Sequence, residues 1–214
     1  MNIFNPANKR ILVLAPHTDD GELGCGASIV RFMEEGADVY YAAFSTADES
    51  VPSEFPKDQL AIEVKEATKI LGIADNHLFV FQYQVRKLNY VRQEILEKLI
   101  ELREDLKPDI VFLPSSADFH QDHQTVTQEG LRAFKFSTIL GYELIWNNRS
   151  FSTDCFIKIK EEHLHRKITA LSAYRTQAKK TYMSPEFIRS LAVVRGTQIG
   201  VAFAETFEVI RWII

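Results

Sequence analysis

Arg10-Ile11-Leu12-Val13-Leu14-Ala15-Pro16-His17-Thr18-Asp19-Asp20-Gly21-Glu22-Leu23 decides the fold. Ile11 to Leu14 is continuously apolar, not alternating, which is the pattern of a strand buried on both faces of a sheet. Arg10–Ala15 therefore reads as that strand, and the polar cluster after it as its end. From Glu22 to Glu35, the apolar positions Leu23, Ile29, Val30 and Met33 can share one side of a helix. Glu22 suits the positive end of its dipole, and Gly36 suits its stop. One histidine and two adjacent carboxylates thus sit where open α/β sheets place their ligands, at the carboxyl end of a strand.

The same alternation continues outward. Val39–Phe44 reads as a second buried strand, followed by a polar loop, Ser45–Asp58, with two prolines. Leu60–Leu71 reads as a helix closed by Gly72, and His77–Phe81 as a third strand. Leu88–Leu106 is an amphipathic helix with Val91, Ile95, Leu99 and Leu102 as its stripe. Asp109–Leu113 is a fourth strand ended by Pro114, and Asp122–Phe136 the next helix. Leu140–Trp146, Cys155–Ile159 and Phe203–Trp212 read as further strands, with two helices between. Strands and helices in this order predict an open, Rossmann-like α/β fold, a mostly parallel sheet with helices on both faces. No linker or repeat divides the 214 residues, so one domain over 1–214 is expected.

Composition sets the bounds. The 46% hydrophobic and 25% charged content is that of a globular protein, and a net charge of −4 argues against nucleic acid as a partner. Cys25 and Cys155 make no disulfide framework. The start of the chain lacks a secretory pattern, and no apolar run could span a bilayer. A cytoplasmic location is expected, and whether the chain forms a homo-oligomer is left open by the sequence.

The chemistry lies in two turns. His17 and Asp20 are spaced to grip one ion, and Asp19 between them can enter the same pocket without ligating. Asp118-Phe119-His120-Gln121-Asp122-His123 follows the fourth strand, whose carboxyl end lies next to that of the first if the two pair in parallel. Two neutral imidazoles and one carboxylate make a three-ligand set with room for water, as in catalytic zinc sites. A nearby carboxylate could take the water's proton. His120, kept protonated by Asp122, could stabilise an oxyanion.

The first turn resembles the His-Pro-Asp-Asp-Glu motif of the PIG-L/LmbE family of metal-dependent N-deacetylases, and His120-Gln121-Asp122-His123 is similar to that family's His-Pro-Asp-His. Glu63, Ala67 and Leu71-Gly72, then Lys167, Ala170 and Gln177, then Ala204-Glu205-Thr206-Phe207 resemble its later segments. The resemblance implies removal of an acetyl group from an N-acetylglucosamine-type sugar, usually one linked to a carrier, with zinc or another divalent transition metal. It assigns His17, Asp20 and His123 as metal ligands, Asp19 as general base, His120 as oxyanion stabiliser and Asp122 as its orienting partner. Thr18 and Gln121 replace the motif prolines. Gly21 stands where the family often has glutamate, which leaves open whether Glu22 compensates.

Other features are set against simpler readings. Gly21, Gly24 and Gly26 have the wrong spacing for a dinucleotide fingerprint. Cys25 reads as a small buried helix residue, Ser115 and Ser116 as turn residues, and His163 and His165 as part of a solvated helix face. Arg86, Trp146 and Asn147 are the candidates for substrate binding: an aromatic face with an amide for sugar hydroxyls, and a guanidinium for an anionic carrier. The competing functions are hydrolysis of a non-sugar amide or a phosphoester by the same metal, and a non-catalytic sugar-binding module.

Overall fold

The computed structural model describes residues 6–213. Seven strands form a single sheet in the order β3-β2-β1-β4-β5-β7-β6. β1 (Arg10–His17) lies between β2 (Asp38–Ser45) and β4 (Ile110–Pro114), and both pair with it in parallel. β3 (Leu78–Val80) and β5 (Thr138–Tyr142) extend the parallel part on either side. The chain moves outward from β1 through β2 to β3, then returns to the other side of β1 as β4. The carboxyl ends of β1 and β4 therefore flank a topological switch point, where open α/β sheets have a crevice.

Six helices cover the sheet: α1 (Asp20–Glu34), α2 (Gln59–Leu71), α3 (Arg92–Leu106), α4 (Gln121–Ala133), α5 (Glu161–Ser172) and α6 (Pro185–Thr197). The period of two along β1 divides its side chains between two cores. Ile11, Val13 and Ala15 pack with α1, α2 and α5, and Leu12 and Leu14 pack with α3 and α4. This is why Ile11–Leu14 is apolar without alternation. No described helix is long and apolar enough to cross a membrane.

Several expected boundaries shift. Leu88–Val91 is a short 3₁₀ turn, and α3 itself starts at Arg92. The expected strand Leu140–Trp146 is β5, which ends at Tyr142. Asn148 Oδ1 then accepts from the Leu144 N–H and Leu144 C=O from the Asn147 N–H, turning the chain and leaving Trp146 outside the sheet. β7 (Phe203–Arg211) runs antiparallel to β5 and β6 (Cys155–Ile159), so the last part of the sheet does not continue the parallel pattern.

Helix α1 is broken at Cys25, whose φ of −143° and ψ of 18° are not helical. A break orphans backbone groups on both sides. Glu205 of β7 accepts from the N–H groups of Ala27 and Ser28 at 3.2 and 2.7 Å, and Lys167 of α5 donates to Leu23 C=O and to Glu205. The later resemblance segments thus repair the helix that carries the first motif. His163, expected on a solvated face, is instead buried. Its Nε2 pairs with Glu34 at 2.8 Å and joins α5 to the end of α1.

Candidate metal and catalytic site

His17 ends β1, Asp20 opens α1, and His123 lies in the first turn of α4. Pairing of β1 with β4 brings the two turns together. His17 Nδ1, Asp20 Oδ2 and His123 Nε2 form a triangle with all three edges at 3.2 Å. Ligands about 2.0 Å from a tetrahedral zinc ion are separated by roughly that edge, so the donor set fits a divalent transition metal. His120 also offers a ring nitrogen within 4.8 Å of those on His17 and His123. The trio with Asp20 is tighter, and its carboxylate is already fixed by the His17 N–H at 2.8 Å.

Each imidazole is braced from behind by a carboxylate. His123 Nδ1 meets Asp118 Oδ2 at 2.7 Å, and His17 Nε2 meets Asp122 Oδ2 at 3.0 Å. Such partners set the tautomer and direct the other nitrogen at the ion. Burial disfavours charge on both rings. Hydrogen bonds donated by the His17 ring to Asp122 and Asp20 more than offset it, raising that ring's pKa to about 9, and Asp20 and Asp118 raise His123 to about 10. Asp20, despite burial, is held well below the usual carboxylate range, chiefly by His123. The centre is therefore built to hold positive charge.

Asp122 corrects an expectation. Its carboxylate does not pair with the His120 ring: it accepts from Arg86 N at 2.6 Å and Leu88 N at 3.2 Å in addition to its contact with His17. His120 Nδ1 accepts the Asp122 backbone N–H at 3.2 Å, so this ring carries its proton on Nε2. Burial and the neighbouring His123 and His17 lower its pKa to about 4. The bond at Nδ1 and this shift favour a neutral His120, where the sequence reading expects a protonated one.

Asp19 is the N-cap of α1, yet its side chain makes no capping bond and lines the cleft beside His17. Burial and the charge of Asp20 raise its pKa to about 6, which suits a group that exchanges protons near neutrality.

The profile described as PIG-L, GlcNAc-PI de-N-acetylase, matches residues 12–134, more than half the chain and both histidine turns. The chain belongs to the PIG-L family. The uncharacterized deacetylase YaiS of Escherichia coli K12 is 29% identical over 182 residues, covering 81% of this PIG-L chain and 96% of YaiS. Diacetylchitobiose deacetylase of Thermococcus kodakarensis is 24% identical over 220 residues, 92% of this chain and 81% of that one. Among solved structures, the conserved protein TT1542 of Thermus thermophilus superposes with a TM-score of 0.80 at 26% identity, covering 96% of each chain.

Around its two motifs this PIG-L chain has a cleft of about 390 Å³, lined by His17, Asp19, Asp20, His120 and His123 together with Arg86, Trp146, Asn147, Gln177, Lys180 and Tyr182. All three substrate candidates of the sequence thus lie in it. Trp146 stacks on Tyr182 with ring centroids 3.9 Å apart and planes at 11°. Thr18 lines the same cleft, and its Oγ1 is buried without a hydrogen-bond partner. Glu22 does not line it. Its carboxyl is buried between the hydroxyls of Tyr41 and Tyr174. Nor could a side chain replace Gly21, because a Cβ there would lie 2.5 Å from the Tyr41 ring.

Ser115 and Ser116 bond to Glu208 and hold the turn after β4. Sequence reasoning gave no role to Asp118, Tyr182 or Lys180. The spacing of Asp118 to His123, five residues across a helix start, was the one visible signal. Nothing local marked the other two.

Proposed function

We propose that this PIG-L chain is a zinc-dependent hydrolase that removes the acetyl group from an N-acetylated, N-acetylglucosamine-type sugar joined to a carrier, with 1–214 acting as one deacetylase domain. The observation that carries this reading is the 3.2 Å triangle of His17, Asp20 and His123 beside the uncapped carboxyl of Asp19. His17, Asp20 and His123 would hold the ion. When bound, it would supply Lewis acidity and lower the pKa of a water to roughly 7.

Asp19 takes the proton of the attacking water and passes it to the amine as the C–N bond breaks. His120 Nε2–H donates to the oxygen of the tetrahedral intermediate, a contribution typically worth about 10²–10³ in rate. Asp122 and Asp118 keep the two ligand imidazoles in register. Trp146 and Asn147 offer a ring face and an amide to the sugar. The relation to diacetylchitobiose deacetylase supports an amino-sugar substrate. The free thiols Cys25 and Cys155 fit a reducing, cytoplasmic setting.

Phosphoester chemistry usually employs two metals. The described residues hold one group of metal-capable side chains, His17, His120 and His123 with Asp20 beside them, which favours the amide. Purified protein is expected to contain stoichiometric divalent metal and to release acetate from an N-acetyl sugar. Asp19→Asn should keep the metal and lose about 10²–10⁴ in kcat, whereas His17→Ala and His123→Ala should lose the metal as well. Full turnover by Asp19→Asn would overturn the mechanism.

A further inference from the structure

We propose that Arg86 and Lys180 form an anion subsite in the cleft, so that the substrate is an amino sugar carrying a phosphate or carboxylate group; this rests on the deacetylase reading. The two cations come from separate segments, Arg86 from the loop after β3 and Lys180 from the connection between α5 and α6, and both line the cleft that contains His17 and Asp19. Neither pairs with a carboxylate among the described residues. Elsewhere the long cations that reach an acid use it: Arg175 binds Glu66, Arg189 binds Glu161, Arg195 binds Glu143, and Lys179, next to Lys180, binds Glu54.

Arg86 is also held in an unusual place. Its φ of 65° is left-handed, a conformation that costs a branched or long side chain and favours glycine or asparagine. The backbone stays there because its N–H donates to Asp122 at 2.6 Å, and Asp122 also orients His17. Backbone strain of this kind collects at binding sites, and Ala47, at φ 50°, lines the same cleft. A glycine would satisfy the turn without strain. The arginine adds only a guanidinium, at a residue that lines the cleft and has no acid partner among the described residues.

The charge balance points the same way. Among the described residues, Asp19 and Asp20 are the only acids lining the cleft, and a divalent ion offsets both. Arg86 and Lys180 then remain as uncompensated positive charge, in a protein whose net charge is −4. A neutral disaccharide such as diacetylchitobiose would leave both cations unused. An Arg fork and a Lys point charge match anionic oxygens.

The test uses the full chain loaded with metal. Acetate release is measured from N-acetylglucosamine, its 1-phosphate, its 6-phosphate and N-acetylmuramic acid, with wild type, Arg86→Asn/Lys180→Met and Arg86→Lys/Lys180→Arg. Asparagine tolerates the left-handed backbone, and thermal unfolding of each variant checks the fold. At least one anionic sugar should exceed the neutral one by about tenfold or more in kcat/KM, through KM. The double neutral variant should lose that preference, and the charge-keeping variant should retain it. The phosphate and carboxylate arms identify the anion.

Equal kcat/KM for neutral and anionic sugars would overturn the subsite while leaving the deacetylase reading in place. So would a preference that survives in the double neutral variant, because the ion would then be reading the anion. If no sugar is deacetylated, the deacetylase reading fails, and calorimetric titration of glucosamine 1-phosphate and 6-phosphate decides the subsite by itself. Binding at least about tenfold weaker in the double neutral variant supports it, and equal binding overturns it.

Discussion

The two walls of the cleft are built differently. On the wall made by the β1–α1 and β4–α4 turns, every group that would touch the ion is held by a second group: His17 by Asp122, His123 by Asp118, Asp20 by the His17 N–H. On the rest of the lining, Arg86 and Lys180 have no acid partner among the described residues, and Trp146 is held by ring stacking on Tyr182. The first wall is fixed by directional bonds among buried groups. The second is held by the Arg86 N–H on Asp122 and by ring stacking, and its charged ends are left for a ligand. Chemistry that must place atoms within tenths of an ångström needs the first kind of wall, and recognition of a variable substrate can be served by the second.

The comparison breaks most readily at the bracing carboxylates. Asp118→Asn and Asp122→Asn are each expected to weaken metal binding about 10–100-fold, read by competition with a chelator. Unchanged affinity would mean that the braced wall is not braced for metal. On the other wall, Trp146→Ala should raise KM for the sugar by about 3–10-fold, the worth of one aromatic contact, with metal content unaltered. Loss of metal in that variant would show the two walls to be one unit.

The smallest effect at neutral pH concerns the support beneath the first wall. Glu22 and Thr18 C=O share the hydroxyls of Tyr41 and Tyr174 in four close oxygen contacts, for which two phenolic protons are too few. Burial raises the Glu22 pKa from 4.5 to about 8, so a proton on its carboxyl adds a third donor to the network. The native state therefore binds this proton more tightly than the unfolded state. Its stabilisation is full below about pH 4.5 and is lost as pH rises to about 8, with a slope of at most ~1.4 kcal/mol per pH unit. Glu22→Gln should remove that slope in urea unfolding measured at about pH 5 and about pH 8. A slope unchanged by the substitution would show that Glu22 is not its source.

Much of the first wall was legible in the sequence. The unbroken apolar run Ile11–Leu14 required a strand covered on both faces, and His17, Asp20, His120 and His123 followed from what came after β1 and β4. Legibility failed where a residue's role depends on a partner distant in the chain. Asp122 was expected to serve His120, two residues away, but the start of α4 directs its carboxylate to His17. His163 lay in a charged run and still found a buried partner in Glu34. Glu22 stood beside the motif and faced away from the cleft, because its carboxyl is held by the hydroxyls of Tyr41 and Tyr174.

By itself, the sequence determined the alternation of elements, the strand ends that carry the two motifs and the residue types able to bind a metal, because periodicity and spacing are local properties of the chain. Only the tertiary structure decided which acid braces which histidine, that β7 turns antiparallel and supplies Glu205 to the broken helix α1, and that Arg86 and Lys180 share one cleft. Those outcomes depend on contacts between segments far apart in the chain, where direction and distance are set by packing of the whole sheet and its helices.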